Sequence, residues 1–492
     1  MVRTAPLLTY GSARGRWTLA ATVGGSAIAS IDATAVNIAL PAIGNEFDTD
    51  LSVLQWVVTS YTLTLAGLLL VAGALGDRYG RRRVFDIGIV WFALASVLCA
   101  VAWNPETLIG ARALQGVGAA LLTPGSLAIL EAVFVPADRG KAIGAWSGLT
   151  GVASAIGPFL GGWLIQAASW RWIFAINLPI ALVVVLVSRR HIPESRDPEA
   201  TGRVDMVGGV LVTLGLVGLT YGLIQWPSVA ALGLGVVLLA AFIVWETRTP
   251  APILPLHLFR STQFTATNLV TFIVYGAMGG ALFLLPLQLQ EVSGYTPLQA
   301  GISLLPVTVI MLLLSARSGA LAARIGPRLQ MSAGPVLVGL GFALFGMIGS
   351  SGTYVTEVLP AVTVLGLGLA VTVAPLTATV LAAVPARHAG VASAVNNDVA
   401  RAAALIAVAV LPAAAGITGA AYMNPAEFTD GFHTASMICA GLCVFAGALA
   451  AVTIRNETRP PAAAPSQPWH CQLDAPVPRA AVTPSPGAET AP

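Results

Sequence analysis

The residues with the most chemical potential stand where charge is scarcest. Asp32, Arg112, Gln115, Asp398 and Arg401 all fall inside long apolar runs. An ionisable group in such a run is expensive to bury and is by default functional. A carboxylate there is suited to binding and releasing a proton, because burial favours the neutral acid and a neighbouring arginine favours the anion. A motion that altered its solvation or its partner would load or unload it. Asp32 is the most telling candidate, a hydrogen-bonded structural acid being the other reading. Arg112 would tune the proton site and Gln115 would add hydrogen bonding, or the group would be a structural ion pair. Asp398 and Arg401, three apart, can share a helical face beside Asn396 and Asn397. They form either a self-neutralised pair that lets a polar cluster line a cavity, or a purely structural couple.

The elements that must hold these residues follow from composition. Of 492 residues 56% are hydrophobic and 10% charged, with a mean hydropathy of +0.81, whereas a soluble domain carries about 25% charged residues. An ordinary water-soluble protein is excluded. A bilayer-spanning helix needs about 20 apolar residues. Apolar runs bounded by charge, proline or glycine fall at residues 17–40, 53–75, 84–102, 107–130, 142–165 and 172–188, then 206–225 and 229–245, then 264–287, 300–321, 331–349, 358–382, 389–414 and 433–454. The expected layout is therefore all-α, with fourteen transmembrane helices arranged six, two and six. The first run is too long for a signal-peptide core and is interrupted by Asp32, so it reads as a permanent span.

These runs divide the chain into a segment 1–16, a six-helix bundle 17–188, a linker 189–205, an extra helix pair 206–245, a linker 246–263, a second bundle 264–454 and a proline-rich tail 455–492, expected to be disordered. With the amino terminus inside, all of the 25 basic residues except Arg112, Arg171 and Arg401 fall on cytoplasmic segments, as the positive-inside rule requires. Both termini are expected in the cytoplasm. Lys141 is the only lysine.

At 1.5 Å per residue, Asp32 lies roughly 22 Å along the first span and Arg112 roughly 9 Å below the opposite surface, at comparable depth. Asn37, Tyr61 and Tyr275 also fall inside spans. They are candidate cavity residues, the tyrosines either contacting an aromatic or cationic ligand or packing in the core.

A second kind of motif sits in a short turn, Gly73-Ala-Leu-Gly76-Asp77-Arg78-Tyr-Gly80-Arg81-Arg82-Arg83. Its glycines permit a tight helix–helix turn, and Asp77 can meet a helix amino terminus or an arginine, latching one state of a cytoplasmic gate. Gly319-Ala-Leu-Ala-Ala-Arg324-Ile-Gly326 echoes it at an offset of 246 residues. Two six-helix halves related by a parallel repeat, with substrate handled between them, is a transporter architecture. Gly157 and Gly161 have the small-xxx-small spacing of close helix contact, and Pro158 bends its helix, which suits a seam between halves.

The turn motif resembles the signature between helices two and three of the major facilitator superfamily. Leu108-Ile-Gly-Ala-Arg112-Ala-Leu-Gln115-Gly116 is similar to its helix-four motif, whose arginine the resemblance links to proton coupling. Gly148-Leu-Thr-Gly151 with Gly157-Pro158-Phe-Leu-Gly161-Gly162 resembles the helix-five motif of its antiporters. The stretch from Ile31-Asp32 to Asn37 and Leu40-Pro41, and the string Trp170-Arg171-Trp172 to Asn177 and Pro179, are similar to the fourteen-helix drug:proton antiporter branch.

The resemblance implies a non-enzymatic secondary transporter of a bacterial cell membrane, functional as a monomer. It would export lipophilic drugs or an antibiotic in exchange for protons by alternating access, without a cofactor. Uptake of a nutrient by proton symport would use the same cavity, and a non-transporting sensor would need a soluble signalling domain that no loop can hold. No phosphate loop occurs, the histidines lack metal-ligand spacing, the cysteines supply no zinc site or disulfide framework, and a net charge of +3 gives no basis for nucleic-acid binding. Asp32 and Asp398 are the only acids expected deep in the hydrocarbon, so the substrate should be monocationic or neutral.

Overall fold

The computed structural model describes residues 7–197, 204–225, 228–250, 252–385 and 388–456. Most of the tail 455–492 and part of the linker 189–205 lie outside the described residues. Among the described residues, fourteen helices are long and apolar enough to cross a membrane: α1 (Ala13–Phe47), α2 (Leu51–Tyr79), α3 (Arg81–Ala100), α4 (Pro105–Val133), α5 (Pro136–Ala167), α6 (Arg171–His191), α7 (Met206–Ile224), α8 (Val229–Glu246), α9 (Thr262–Val292), α10 (Pro297–Ile325), α11 (Arg328–Phe345), α12 (Tyr354–Ala382), α13 (Gly390–Ala414) and α14 (Pro425–Thr453). Among the described residues there is no β-strand.

Helix ends are set by local chemistry. Asp50 caps α2 through Val53 N–H at 3.1 Å, and Asn104 with Thr107 closes a capping box on α4, each satisfying donors that a helix start leaves open. Gly80 at φ +119° makes the α2–α3 turn, and Gly326 at φ +85° makes the α10–α11 turn. These two positive-φ glycines occupy equivalent places in the sequence repeat. At 35 residues, α1 rises about 52 Å, well beyond a roughly 30 Å hydrocarbon core.

Helices α1–α6 pack among themselves, as do α9–α14, and α7 and α8 pair with each other, α7 also leaning on α2 and α13. The termini of these helices define two faces. The turns after α2 and α10 lie on an arginine-rich face. The α1–α2 and α9–α10 turns lie on an acidic one, where Arg171, an exception to the charge rule, is held at 2.6 Å by Glu46.

The cores show how the halves meet. At the acidic face one apolar cluster runs through both halves, joining residues such as Ile43, Leu54 and Leu108 to Leu285, Phe342 and Phe432. Towards the arginine-rich face the cores separate, one built around Phe85 and Phe134 and the other around Phe264 and Met331. Within residues 7–455 the halves therefore share one core at the acidic face and have separate cores towards the arginine-rich one.

Candidate functional site

Helices α1 and α4 bring Asp32 and Arg112 into contact, Arg112 Nη1 lying 2.5 Å from Asp32 Oδ2. Both are buried, at 0% and 1% exposure. Arg112 lies one turn before Gln115 on α4, and the two project together. Arg112 Nη1 donates to Gln115 Oε1 at 2.5 Å, and Gln115 Nε2 donates to Asp32 Oδ1 at 2.8 Å. Arg112 Nε donates to the Val57 carbonyl at 3.2 Å, which ties α2 into the cluster. The helices can approach this closely because Gly116 faces the Tyr61 carbonyl and the Thr64 hydroxyl of α2, where any Cβ would collide.

Sequence reasoning did not assign two members of this cluster. Asn177 Nδ2 on α6 donates to Asp32 Oδ1 at 3.1 Å, and Ser96 Oγ on α3 accepts from both Gln115 and Asn177 at 2.9 and 3.2 Å. Asn177, a strong hydrogen-bonding side chain inside an apolar run, carried a usable signal. Ser96 carried none, since a lone serine is unremarkable in a membrane helix. The Asp32 carboxylate thus receives donors from α4 and α6 and is shut away from water.

Tyr61 is 3% exposed and lies beneath Arg112, whose guanidinium stands 4.3 Å from its ring centroid. In this conformation it packs against the charge cluster. Tyr275 and Asn37 are half-buried, and Asn37 Oδ1 is buried without a hydrogen-bond partner.

The second-half group departs from the sequence expectation. No ion pair joins Asp398 to Arg401 among the described residues, and Asp398 Oδ1 and Arg401 Nε are buried without hydrogen-bond partners. A spacing of three permits a pair but does not enforce one. The two side chains thus stand close on α13 without a direct salt bridge. Asn396 turns to α9, donating to Thr271 Oγ1 at 2.8 Å and Asn268 Oδ1 at 3.1 Å, while Asn397 is exposed and donates to its own helix at Ser393.

The α5 glycines divide by position. Gly157 and Gly161 do not form the seam between halves; they pack α5 against Thr34 and Ala35 of α1 within the first half. Thr34 Oγ1 reaches the Ser154 carbonyl at 3.1 Å, the acceptor that Pro158 leaves without its helical donor. The seam is made by Gly162 against Pro297 and by Gly301 against the Pro158 carbonyl. Gly148 and Gly151 are exposed, and a Cβ at either would meet nothing within 4 Å.

In the α2–α3 turn, Asp77 Oδ1 accepts from Arg81 Nε at 2.9 Å, a contact within its own turn. Glu194 accepts from the Arg82 backbone at 3.1 Å, and its carboxylate occupies the space a Cβ at Gly80 would need. Arg78 lies over the Tyr79 ring. Gly73 and Gly76 are at ordinary packing distance from Pro124 and Arg81. Asp77 is thus engaged by its own turn, and Arg82 by the linker residue Glu194.

Residues 22–409 match the sequence profile of the Major Facilitator Superfamily. The chain belongs to this superfamily. It is a transporter rather than an enzyme, and a multi-pass membrane protein. The transporter is 34% identical to a methylenomycin A resistance protein of Bacillus subtilis over 78% of this chain and 84% of that one. It is 34% identical to a puromycin resistance protein of Streptomyces alboniger over 90% and 92%, and 33% identical to a tetracenomycin C resistance and export protein of Streptomyces glaucescens over 81% and 76%. Its fold is shared with a POT family transporter in complex with a thioalcohol-conjugated peptide, at a TM-score of 0.70 and 15% identity, covering 91% of this chain and 97% of that one.

Proposed function

We propose that this superfamily member exports a lipophilic antibiotic or drug from the cytoplasm in exchange for protons. The observation that carries the reading is the buried cluster of Asp32, Arg112, Gln115 and Asn177, a carboxylate inside a span whose one cationic partner among the described residues is Arg112. The resistance and export names of the relatives support the direction of transport. The arginine-rich face is taken as cytoplasmic in a bacterial cell membrane, with both termini inside. On that orientation the separated cores lie on the cytoplasmic side while Arg112 rests on Asp32, as expected of an inward-open transporter before protonation.

Rocking of the halves would close the cytoplasmic mouth, part the acidic face and shift α1 against α4. Arg112 would leave Asp32, which then takes a proton from outside. Removing one member of a buried ion pair costs about 3–5 kcal/mol. One proton crossing 150–180 mV supplies about 4 kcal/mol, so the drive is of the size the exchange requires. The transporter works as a monomer without a cofactor. Asp32 and Asp398 are the acids available deep in the spans, which suits a monocationic or neutral substrate.

The test is accumulation of a lipophilic antibiotic or a monocationic dye in inverted vesicles, with and without an uncoupler. Uptake should collapse on uncoupling, and D32N should remain in the membrane but lose coupled uptake. Uptake that survives the uncoupler, or full active uptake by D32N, overturns the proposal.

A further inference from the structure

On the outer flank of the first half, a cavity of about 620 Å³ opens between α3 and the arginine-rich end of α6, unconnected with the Asp32 cluster. Arg82, Arg83, Asp86 and Arg189 line its mouth, and Ile87, Val90 and Leu94 line its length. Those three apolar side chains are 57%, 41% and 62% exposed, on a helix face that no other described part of the chain covers. Between Arg83 and Leu94 the helix rises about 16 Å, the depth of one leaflet in a roughly 30 Å hydrocarbon core.

The mouth is incompletely neutralised. Glu194 stands 3.8 Å from Arg82 and 3.7 Å from Arg83, and Asp86 stands 3.9 Å from Arg189. Three guanidiniums therefore share two carboxylates. Asp86 is further engaged by the Ser188 hydroxyl at 2.6 Å. The Arg83 and Arg189 side chains remain 63% and 68% exposed, with donors free to turn towards a phosphate. Among the described residues one positive charge is left over at a membrane boundary, directly above an apolar groove one leaflet deep.

We propose that this groove seats one monoanionic phospholipid, its phosphate between Arg83 and Arg189 and one acyl chain along Ile87, Val90 and Leu94. The charge excess selects an anionic headgroup over a zwitterionic one. The groove distinguishes a lipid from a free anion.

The test is native mass spectrometry of the full chain with equal amounts of phosphatidylglycerol and phosphatidylcholine carrying the same acyl chains. The wild-type protein should keep one phosphatidylglycerol in preference. R83Q combined with R189Q should lower that retention about thirtyfold, the effect of two basic residues near an anionic headgroup. Ile87→Trp with Leu94→Trp, which fills the groove and leaves the arginines in place, should lower it as well, and millimolar inorganic phosphate should not displace the lipid. All four substitutions are at exposed positions, and unchanged melting of the variants checks folding. Equal retention of both lipids, indifference to either double variant, or displacement by phosphate overturns the proposal.

Discussion

The guanidinium of Arg112 is sandwiched between a carboxylate and an aromatic face: Asp32 Oδ2 is 2.5 Å from Nη1, and the Tyr61 ring centroid is 4.3 Å from Cζ. The ring gives the cation a second favourable surface in a site closed to water. Tyr61→Phe should keep both stability and transport, since the ring face is preserved. Tyr61→Ala should destabilise by about 3–5 kcal/mol from lost packing, with up to about 2 more from the cation–π contact. Thermal unfolding in detergent, with transport assayed in vesicles, separates these outcomes.

Removing Arg112 strands a charge. Arg112→Leu should cost about 3–5 kcal/mol, because Asp32 is left in apolar surroundings without its cation. The double variant Asp32→Asn with Arg112→Leu should recover a large part of that loss, and a thermodynamic cycle over the four proteins measures the coupling. Equal stability of the single Arg112→Leu and double variants would show that the buried charge is not the source of the cost.

The closed face has its own latch. Gln55 Nε2 on α2 donates to the Val408 carbonyl of α13 at 2.6 Å and lies 3.3 Å from the Ala409 carbonyl, crossing between halves at a buried position. Gln55→Leu should weaken closure by about 1 kcal/mol, a roughly fivefold shift of population towards opening at the acidic face. Asn45 and Glu291, hydrogen-bonded at 3.2 Å across the same face, give the readout. Cross-linking of cysteines placed at these two positions should slow in the Gln55→Leu background.

Small residues matter unequally along α5 and α10. Gly301→Ala places a methyl group against the Pro158 carbonyl and should cost about 1–3 kcal/mol as overpacking, paid by parting the acidic face. Gly148→Ala, in open space, should leave melting unchanged. Identical melting of the two variants would contradict the assigned seam.

Sequence resolved along-helix features better than around-helix ones. Apolar run length located the spans, and the rise per residue placed Asp32 and Arg112 at one depth, where they touch. Rotation about each helix axis was less legible, because packing sets it. Gly157 and Gly161 share a stripe, yet which neighbour that stripe meets depends on the tilt of α1. The i,i+4 pair Asp77 and Arg81 closes, whereas the i,i+3 spacing of Asp398 and Arg401 does not, because side-chain direction as well as spacing decides contact. Ser96 and Asn177 entered the cluster through the placement of α3 and α6, which no local pattern encodes.

The single lysine has a practical consequence. Lys141 stands near the start of α5, its side chain 71% exposed and held only loosely by Asp138 at 3.7 Å. Apart from the chain's own α-amine, it is the one site that an amine-directed fluorophore can modify. A transporter built almost wholly on arginine therefore carries a native attachment point on α5, the helix whose Gly162 meets the second half. A dye fixed there would report opening and closing of the mouth by its quenching, with no cysteine introduced.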